Sequence, residues 1–296
     1  MNDFDYAAAT TVDEAVSLLA AQGDRAKVLA GGTDIIVQLR ENLRHADLVV
    51  DVKKIGELME LRYDAKQGLR LGAAVPCYRL CENQEICAAY PALVDAARII
   101  GGWQIQGRAS IGGNLCNASP AADAIPALIA LGAVAEVAGP GGRRRVPVDE
   151  FCTGPGRTVL GRGELLVALE VPAPVARASS AYERFIPRNE MDIAVVGVGS
   201  WLQLNAAGDK IEAARIALGA VAPTPLYAQA ASDWLQGQAA TEATYQKAGE
   251  LAKQIARPIS DKRGPAEYRE HLVGVLVVRT LRTAQSRVQE GENVSR

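Results

Sequence analysis

Two glycine pairs, each followed at once by a small polar side chain, constrain this chain more than any other feature. The first is Leu29-Ala30-Gly31-Gly32-Thr33-Asp34. The second is Ser110-Ile111-Gly112-Gly113-Asn114, running on into Asn117-Ala118-Ser119-Pro120-Ala121-Ala122-Asp123. Glycine lets a backbone approach a ligand closely and adopt positive φ. A row of N–H groups in such a turn makes a concave site for anions. Two of them predict a ligand with a diphosphate in its middle, gripped from two sides. Gly31-Gly32 taken alone fits a tight strand-to-helix turn equally well.

The flanking pattern places both motifs. Thr11-Val12-Asp13-Glu14 reads as a capping box, opening a helix through Val16, Leu19 and Ala20 that stops at Gly23. Residues 27–30 read as a short buried strand. Residues 34–43 read as a helix with Ile35, Ile36, Leu39 and Leu43 on one face, and 47–52 as the next strand. An anion at that helix start meets both N–H donors and the positive end of the dipole. Leu58, Leu61, Leu69, Leu71 and Ala73 then alternate as in antiparallel strands. A helix over 91–100 ends at Gly101-Gly102 and leads through 103–108 into the second glycine pair. A helix over 121–131, a hairpin around Gly139-Pro140-Gly141-Gly142 and a strand over 164–171 follow. Pro172-Ala173-Pro174 and the small polar stretch to Ser180 read as a linker. Beyond it, strand-like runs at 181–185, 194–204 and 211–220 precede helical patterns at 225–235, 242–256 and 265–288. Strands first and helices after describe a small α+β domain. The polar tail from Gln289 is expected to fray.

Composition removes several function classes. Lys and Arg total 32 against 34 Asp and Glu, so no basic excess argues for nucleic acid or an anionic membrane. Arg143-Arg144-Arg145 follows a glycine-rich turn and reads as a solvated hairpin. No apolar stretch reaches the ~20 residues of a membrane helix. The acidic N-terminus has no apolar segment behind it, which predicts a cytoplasmic chain without a signal peptide. The five cysteines, Cys77, Cys81, Cys87, Cys116 and Cys152, are odd in number and match no common metal-ligand spacing; they read as free, mostly buried thiols. His45 and His271 are too few for a histidine metal cluster and are expected on the surface. Trp103, Trp201 and Trp234 are expected to pack rather than stack on a ligand. No nucleophile–base pair is evident, and no metal ligands are assigned.

The first motif is not G-x-G-x-x-G and no Walker lysine follows it. The second is more specific. Together, and with Thr153-Gly154-Pro155-Gly156-Arg157-Thr158, Gly163-Glu164-Leu165-Leu166 and the segment 184–194, the chain resembles the FAD-binding medium subunit of the molybdenum hydroxylase family, which includes carbon monoxide dehydrogenase-like enzymes and the flavin domain of xanthine dehydrogenase. The resemblance covers nearly the whole chain. It implies an α+β fold with a two-lobed FAD-binding domain of the PCMH type over 1–175 (lobes about 1–55 and 56–175) and a C-terminal domain over 176–296 of antiparallel sheet plus helices.

The resemblance also implies site residues. Leu29, Ala30, Gly31, Gly32, Thr33 and Asp34 correspond to a first pyrophosphate loop. Ser110, Ile111, Gly112, Gly113 and Asn114 correspond to a second. Asn117 stands where relatives carry another polar residue. Asp123 matches a carboxylate that binds a ribose hydroxyl; a plain helix-start acid is its alternative reading. Leu166 matches an apolar neighbour of the adenine or the ring. Arg184 stands where relatives often carry lysine near the flavin, and Ile193 where some carry an aromatic. The implied role is electron transfer: substrate oxidised at a molybdopterin cofactor on a large partner chain, electrons passed through [2Fe–2S] clusters of a small one to FAD here, then to an external acceptor. A hetero-hexamer of two heterotrimers is the implied assembly. A self-contained FAD-dependent oxidoreductase of the same fold is the alternative, and a binding module without FAD a further one.

Overall fold

A computed structural model of the chain describes residues 3–188 and 191–294. Asn189 and Glu190 of the segment 184–194 lie outside the described residues, as do Met1, Asn2, Ser295 and Arg296.

The N-terminal lobe alternates strands and helices: β1 (Asp5–Ala8), α1 (Val12–Gln22), β2 (Ala26–Leu29), α2 (Ile35–Arg40) and β3 (Leu48–Asp51). The strands form a parallel sheet in the order β1-β3-β2. The Thr11 hydroxyl caps α1 by accepting the Glu14 N–H at 3.1 Å, while the Glu14 carboxylate accepts the Thr10 N–H at 2.8 Å. Gly23 at φ 58° ends the helix. The apolar face of α2 is narrower than its periodicity suggests. Leu39 is buried and Ile35 packs beside it, whereas Ile36 and Leu43 are exposed. The helix ends at Arg40, before a full second turn can bring Leu43 round.

The second lobe begins with β4 (Leu61–Asp64) and β5 (Gly68–Gly72). Six helices follow: α3 (Cys77–Glu82), α4 (Gln84–Ala89), α5 (Pro91–Arg98), α6 (Trp103–Gln106), α7 (Ile111–Asn117) and α8 (Ala124–Ala130). The lobe ends with β6 (Val134–Gly139), β7 (Gly142–Pro147), β8 (Cys152–Gly154), β9 (Arg157–Thr158) and β10 (Leu165–Val171). Its main sheet is antiparallel, ordered β4-β5-β10-β6-β7. Central β10 is buried at nearly every position, as a strand covered on both faces must be. The Arg143–Arg145 run on edge strand β7 of the β6–β7 hairpin is solvent-exposed, as expected, and each arginine also pairs with acids. Arg143 bridges Glu57 and Glu136, Arg144 binds both oxygens of Glu164 at 2.7 Å, and Arg145 pairs with Glu170.

The C-terminal portion comprises β11 (Ala178–Phe185), β12 (Val196–Leu204), β13 (Ile211–Gly219), β14 (Leu226–Tyr227), α9 (Gln229–Leu235), α10 (Glu242–Lys253) and α11 (Ala266–Val294). Its antiparallel sheet runs β11-β12-β13-β14. The helices cover this sheet around a core of its own, centred on Val198, Ile216, Tyr245, Val273 and Leu281. The polar tail does not fray at Gln289: α11 continues to Val294, since extending an established helix costs little per residue.

The C-terminal sheet rests on α5 and α8 of the second lobe. Gly199 makes the approach possible, because a Cβ there would lie 2.5 Å from the Pro126 carbonyl oxygen. Arg287 on α11 clamps the join: both its Nη atoms bind Asp95 of α5, at 2.7 and 3.0 Å, and Nη1 also donates to the Ser180 carbonyl.

Candidate flavin site

A cavity of about 520 Å³ opens where the lobes and the C-terminal sheet meet. Ala30, Gly31, Gly32, Thr33 and Asp34 line it from the first motif, and Ser110, Gly112, Gly113, Asn114 and Asn117 from the second. Asp123, Leu166, Arg184 and Ile193 line it as well. Leu29 and Ile111 do not: Leu29 packs in a small cluster with Leu39, and Ile111 is buried in the main core.

The two motifs touch. A Cβ on Gly31 would lie 2.1 Å from the Arg108 carbonyl oxygen, so only glycine lets the first loop close on the second. Gly32 has φ 82°, the left-handed conformation that turns β2 into α2. Behind the loop, Lys53 donates to the Ala30 carbonyl at 3.1 Å and to Asp51 at 2.8 Å, and Tyr6 donates to Asp51 at 2.7 Å. This network holds the Ala30 carbonyl and so fixes the loop. Lys53 carries no motif that marks it in sequence.

The second motif, expected as a loop, is the start of α7. The Ser110 hydroxyl caps it by accepting the Gly113 N–H at 3.0 Å, and Asn114 N–H reaches the Ser110 carbonyl at 2.9 Å. The first-turn N–H of Gly112 has no carbonyl in the preceding turn to reach, whereas that of Ile111 faces Val75 across the bridge between Pro76 and Ser110. Gly112 permits packing on Ala73, whose Cα a Cβ would meet at 2.6 Å. Gly113 is different: a Cβ there meets only the Ser110 hydroxyl, at 3.0 Å, so its bareness keeps the cleft open. The Asn114 carboxamide oxygen accepts the Ala124 N–H at 3.2 Å, bracing α8 and leaving its NH₂ for a ligand. Asn117 accepts from Gln38 at 3.1 Å, so the helices that follow the two glycine pairs are tied together.

The far wall joins two parts of the chain. Asp123, before α8, accepts from Tyr182 at 2.9 Å and from Arg184 at 2.7 Å; both partners stand on one face of β11. Burial pushes the Asp123 carboxyl up to about 6, against the opposing pull of Arg184 and Tyr182. Burial and the facing carboxylate also hold the Tyr182 phenol well above its ordinary value. Near neutral pH the wall therefore presents a compensated ion pair rather than a bare cation.

Lys27, Gln38, Arg44 and Cys116 also line the cavity without a sequence signal, and Glu164 and Met191 line it from the segments 163–166 and 184–194. Burial and the neighbouring Arg44 lower the Lys27 ammonium. No aromatic residue lines the cavity among the described residues. Ile193 is half exposed and leaves that face open. Trp103, expected to pack, is 85% exposed on α6, because Gly102 starts that helix with its first side chain outward. Trp201 and Trp234 do pack, against the main and C-terminal cores. His45 and His271 are exposed. All five cysteines are free thiols. Among the described residues, no acid, cysteine and histidine cluster is suited to a metal, and no helix is long and apolar enough to cross a membrane.

Two donor-rich loops in contact, an open glycine and a carboxylate–guanidinium wall fit a flavin dinucleotide with its diphosphate between the loops. That geometry places the chain among dinucleotide-binding proteins. Residues 2–174 match the family described as the FAD binding domain in molybdopterin dehydrogenase, and residues 180–284 the carbon monoxide dehydrogenase flavoprotein C-terminal domain. The chain is 34% identical over 287 residues to the carbon monoxide dehydrogenase medium chain of Afipia carboxidovorans, covering 97% of this chain and 98% of that one. It is 33% identical over 285 residues to the xanthine dehydrogenase FAD-binding subunit of Escherichia coli O157:H7, covering 95% and 97%. Among solved structures, a chain of carbon monoxide dehydrogenase from Hydrogenophaga pseudoflava superposes with a TM-score of 0.91 at 34% identity, over 97% and 98% of the two chains. A chain of quinoline 2-oxidoreductase from Pseudomonas putida 86 gives 0.88 at 29%, over 97% and 98%. The chain belongs to the family of FAD-binding subunits of molybdopterin dehydrogenases. It is an oxidoreductase subunit with the α+β, FAD-binding architecture that its sequence implies.

Proposed function

We propose that this chain is the electron-transfer flavoprotein of a molybdenum hydroxylase complex in the cytoplasm. It would take electrons from [2Fe–2S] clusters of a small subunit, after substrate oxidation at the molybdopterin cofactor of a large subunit, and deliver them to an external acceptor. The complex would be a hetero-hexamer of two heterotrimers. Bound FAD supplies the redox chemistry; the protein binds and orients it.

The contact between the glycine loops carries this reading. In it, the N–H groups from Ala30 to Asp34 and at the start of α7 hold the diphosphate between them. Asp123 keeps acceptor capacity on each oxygen for a ribose hydroxyl, and Arg184 keeps donors beyond the one given to Asp123. Leu166 supplies apolar wall, and the open side at Ile193 admits an acceptor.

Purification of the full chain tests the reading. The expected product is yellow, or becomes so on FAD addition, with a one-to-one flavin content. A chain that stays colourless with excess FAD would overturn it. Co-expression with candidate small and large subunits, followed by native mass measurement, tests the assembly; a chain that turns over a small substrate alone would favour the self-contained oxidoreductase.

A further inference from the structure

Outside the flavin cleft, three thiols and a guanidinium meet at the corner between α3 and α4. Cys77 and Cys81 lie one helical turn apart on α3, and Cys87 lies on α4. The Cys87 thiol donates to the Cys81 backbone carbonyl at 3.3 Å, which places its sulfur beside the end of α3 that carries Cys81. Arg98, at the end of α5, places Nη2 3.8 Å from the Cys87 sulfur, and its charge also acts on Cys81. Cys81 and Cys87 are partly exposed, whereas Cys77 is buried. The guanidinium thus stands beside a solvent-reachable thiol. The remaining thiols lack this setting. Burial pushes Cys77 and Cys116 up to about 12 and Cys152 up to about 11. Burial raises Cys81 too, but there Arg98 works against it.

The corner is wired to the second glycine motif. The Cys77 N–H, at the start of α3, donates to the Ala109 carbonyl at 2.8 Å. Gln106 donates to the Arg98 carbonyl at 2.7 Å. The elements that carry the thiol cluster therefore hold the backbone leading into Ser110.

We propose that Cys81 and Cys87 are a redox modification site, closing a reversible disulfide on exposure to hydrogen peroxide, and that this closure alters flavin affinity through α3. The second half rests on the flavin reading above. The Cys87 thiolate attacks the peroxide: the O–O bond breaks, a sulfenic acid forms and the first water leaves. Cys81 then attacks that sulfur, an S–S bond forms, and its proton leaves with the hydroxyl as a second water. Two thiols are oxidised and one peroxide is reduced.

The test treats the full chain with hydrogen peroxide under native conditions, blocks residual thiols and maps peptides by mass. The expected result is a single Cys81–Cys87 bridge, with the thiol titre falling by two from five, reversed by dithiothreitol. Arg98→Gln slows bridging severalfold, and Cys81→Ser or Cys87→Ser abolishes it. Bridging between other cysteines, sulfinic acid without a bridge, or an unchanged titre would overturn the site. FAD titration of reduced and oxidised chain is expected to differ by about fivefold or more in dissociation constant, with Cys81→Ser insensitive to peroxide. Equal constants would overturn the coupling. Peptide mapping does not depend on flavin, so a chain that binds no FAD would speak against the flavin reading and leave the disulfide to be judged by its own result.

Discussion

Gly31 of the first loop lies so close to the Arg108 carbonyl that a methyl group on its Cα would stand 2.1 Å from the oxygen. Gly31→Ala must therefore separate the loops. Backbone meets backbone there, so no side-chain rotation relieves the clash. The expected cost is about 2–4 kcal/mol of stability, with loss of measurable FAD binding. Urea denaturation and flavin titration check both.

Gly113→Ala separates ligand space from protein space. Its added methyl would touch only the Ser110 hydroxyl, at 3.0 Å. Stability is expected to change by less than about 1 kcal/mol, since alanine favours helix and only one cap atom must shift. FAD affinity is expected to fall about tenfold or more, equivalent to about 1.4 kcal/mol. Unchanged affinity would show that Gly113 does not border the cofactor.

Asp123 makes stability depend on pH in a defined direction. Its carboxyl is pushed up to about 6 in the folded chain, against about 3.9 when unfolded. Between those values the unfolded chain has released a proton that the folded chain still holds. The contribution is therefore full below about pH 4 and is lost as pH rises through 6. At 1.36 kcal/mol per pH unit this is on the order of 3 kcal/mol. Asp123→Asn does not titrate. The wild-type minus variant difference in unfolding free energy should fall from pH 4 to 7 and flatten above; the unpaired Arg184 in the variant adds an offset without this slope.

Arg287→Ala removes both bonds to Asp95 and the one to Ser180. Breaking a partly buried bidentate pair is expected to cost about 2–3 kcal/mol. The loss falls at the join between two separate cores. Thermal unfolding followed by flavin release and by far-ultraviolet circular dichroism should then separate into two transitions where the wild type shows one.

Local signals carried much of the fold. The capping box at Thr11, the Gly23 stop, the alternating strands that hold Leu61, Leu69 and Leu71 and the three long strands after the linker are written in neighbouring residues, and the structure has them, although Leu58 lies in a 3-10 turn before the first of these strands. Long-range features were less visible. Leu43 has the right spacing for α2, but the helix ends too soon to use it. Trp103 looks like a core residue, but its exposure depends on where α6 begins. Lys53 reaches the first loop from the far end of a neighbouring strand, which no spacing encodes. The basic run on β7 meets Glu136 across the hairpin to β6, but Glu57, Glu164 and Glu170 only once β10 and the turn before β4 are in place. In the cleft, the glycine motifs announced themselves, whereas the Tyr182 contact to Asp123 depends on how β11 docks.

That docking has a consequence for how such chains can be recombined. Arg184, Met191, Asp192 and Ile193 line the cleft from beyond the linker, while both glycine motifs lie before it. A chimera that joins these loops to another relative's C-terminal portion would inherit the donor's wall, ion pair and open face together. On the proposed reading its diphosphate grip would stay native while the surroundings of the bound ring became foreign, making this boundary a natural seam for exchanging one property without the other.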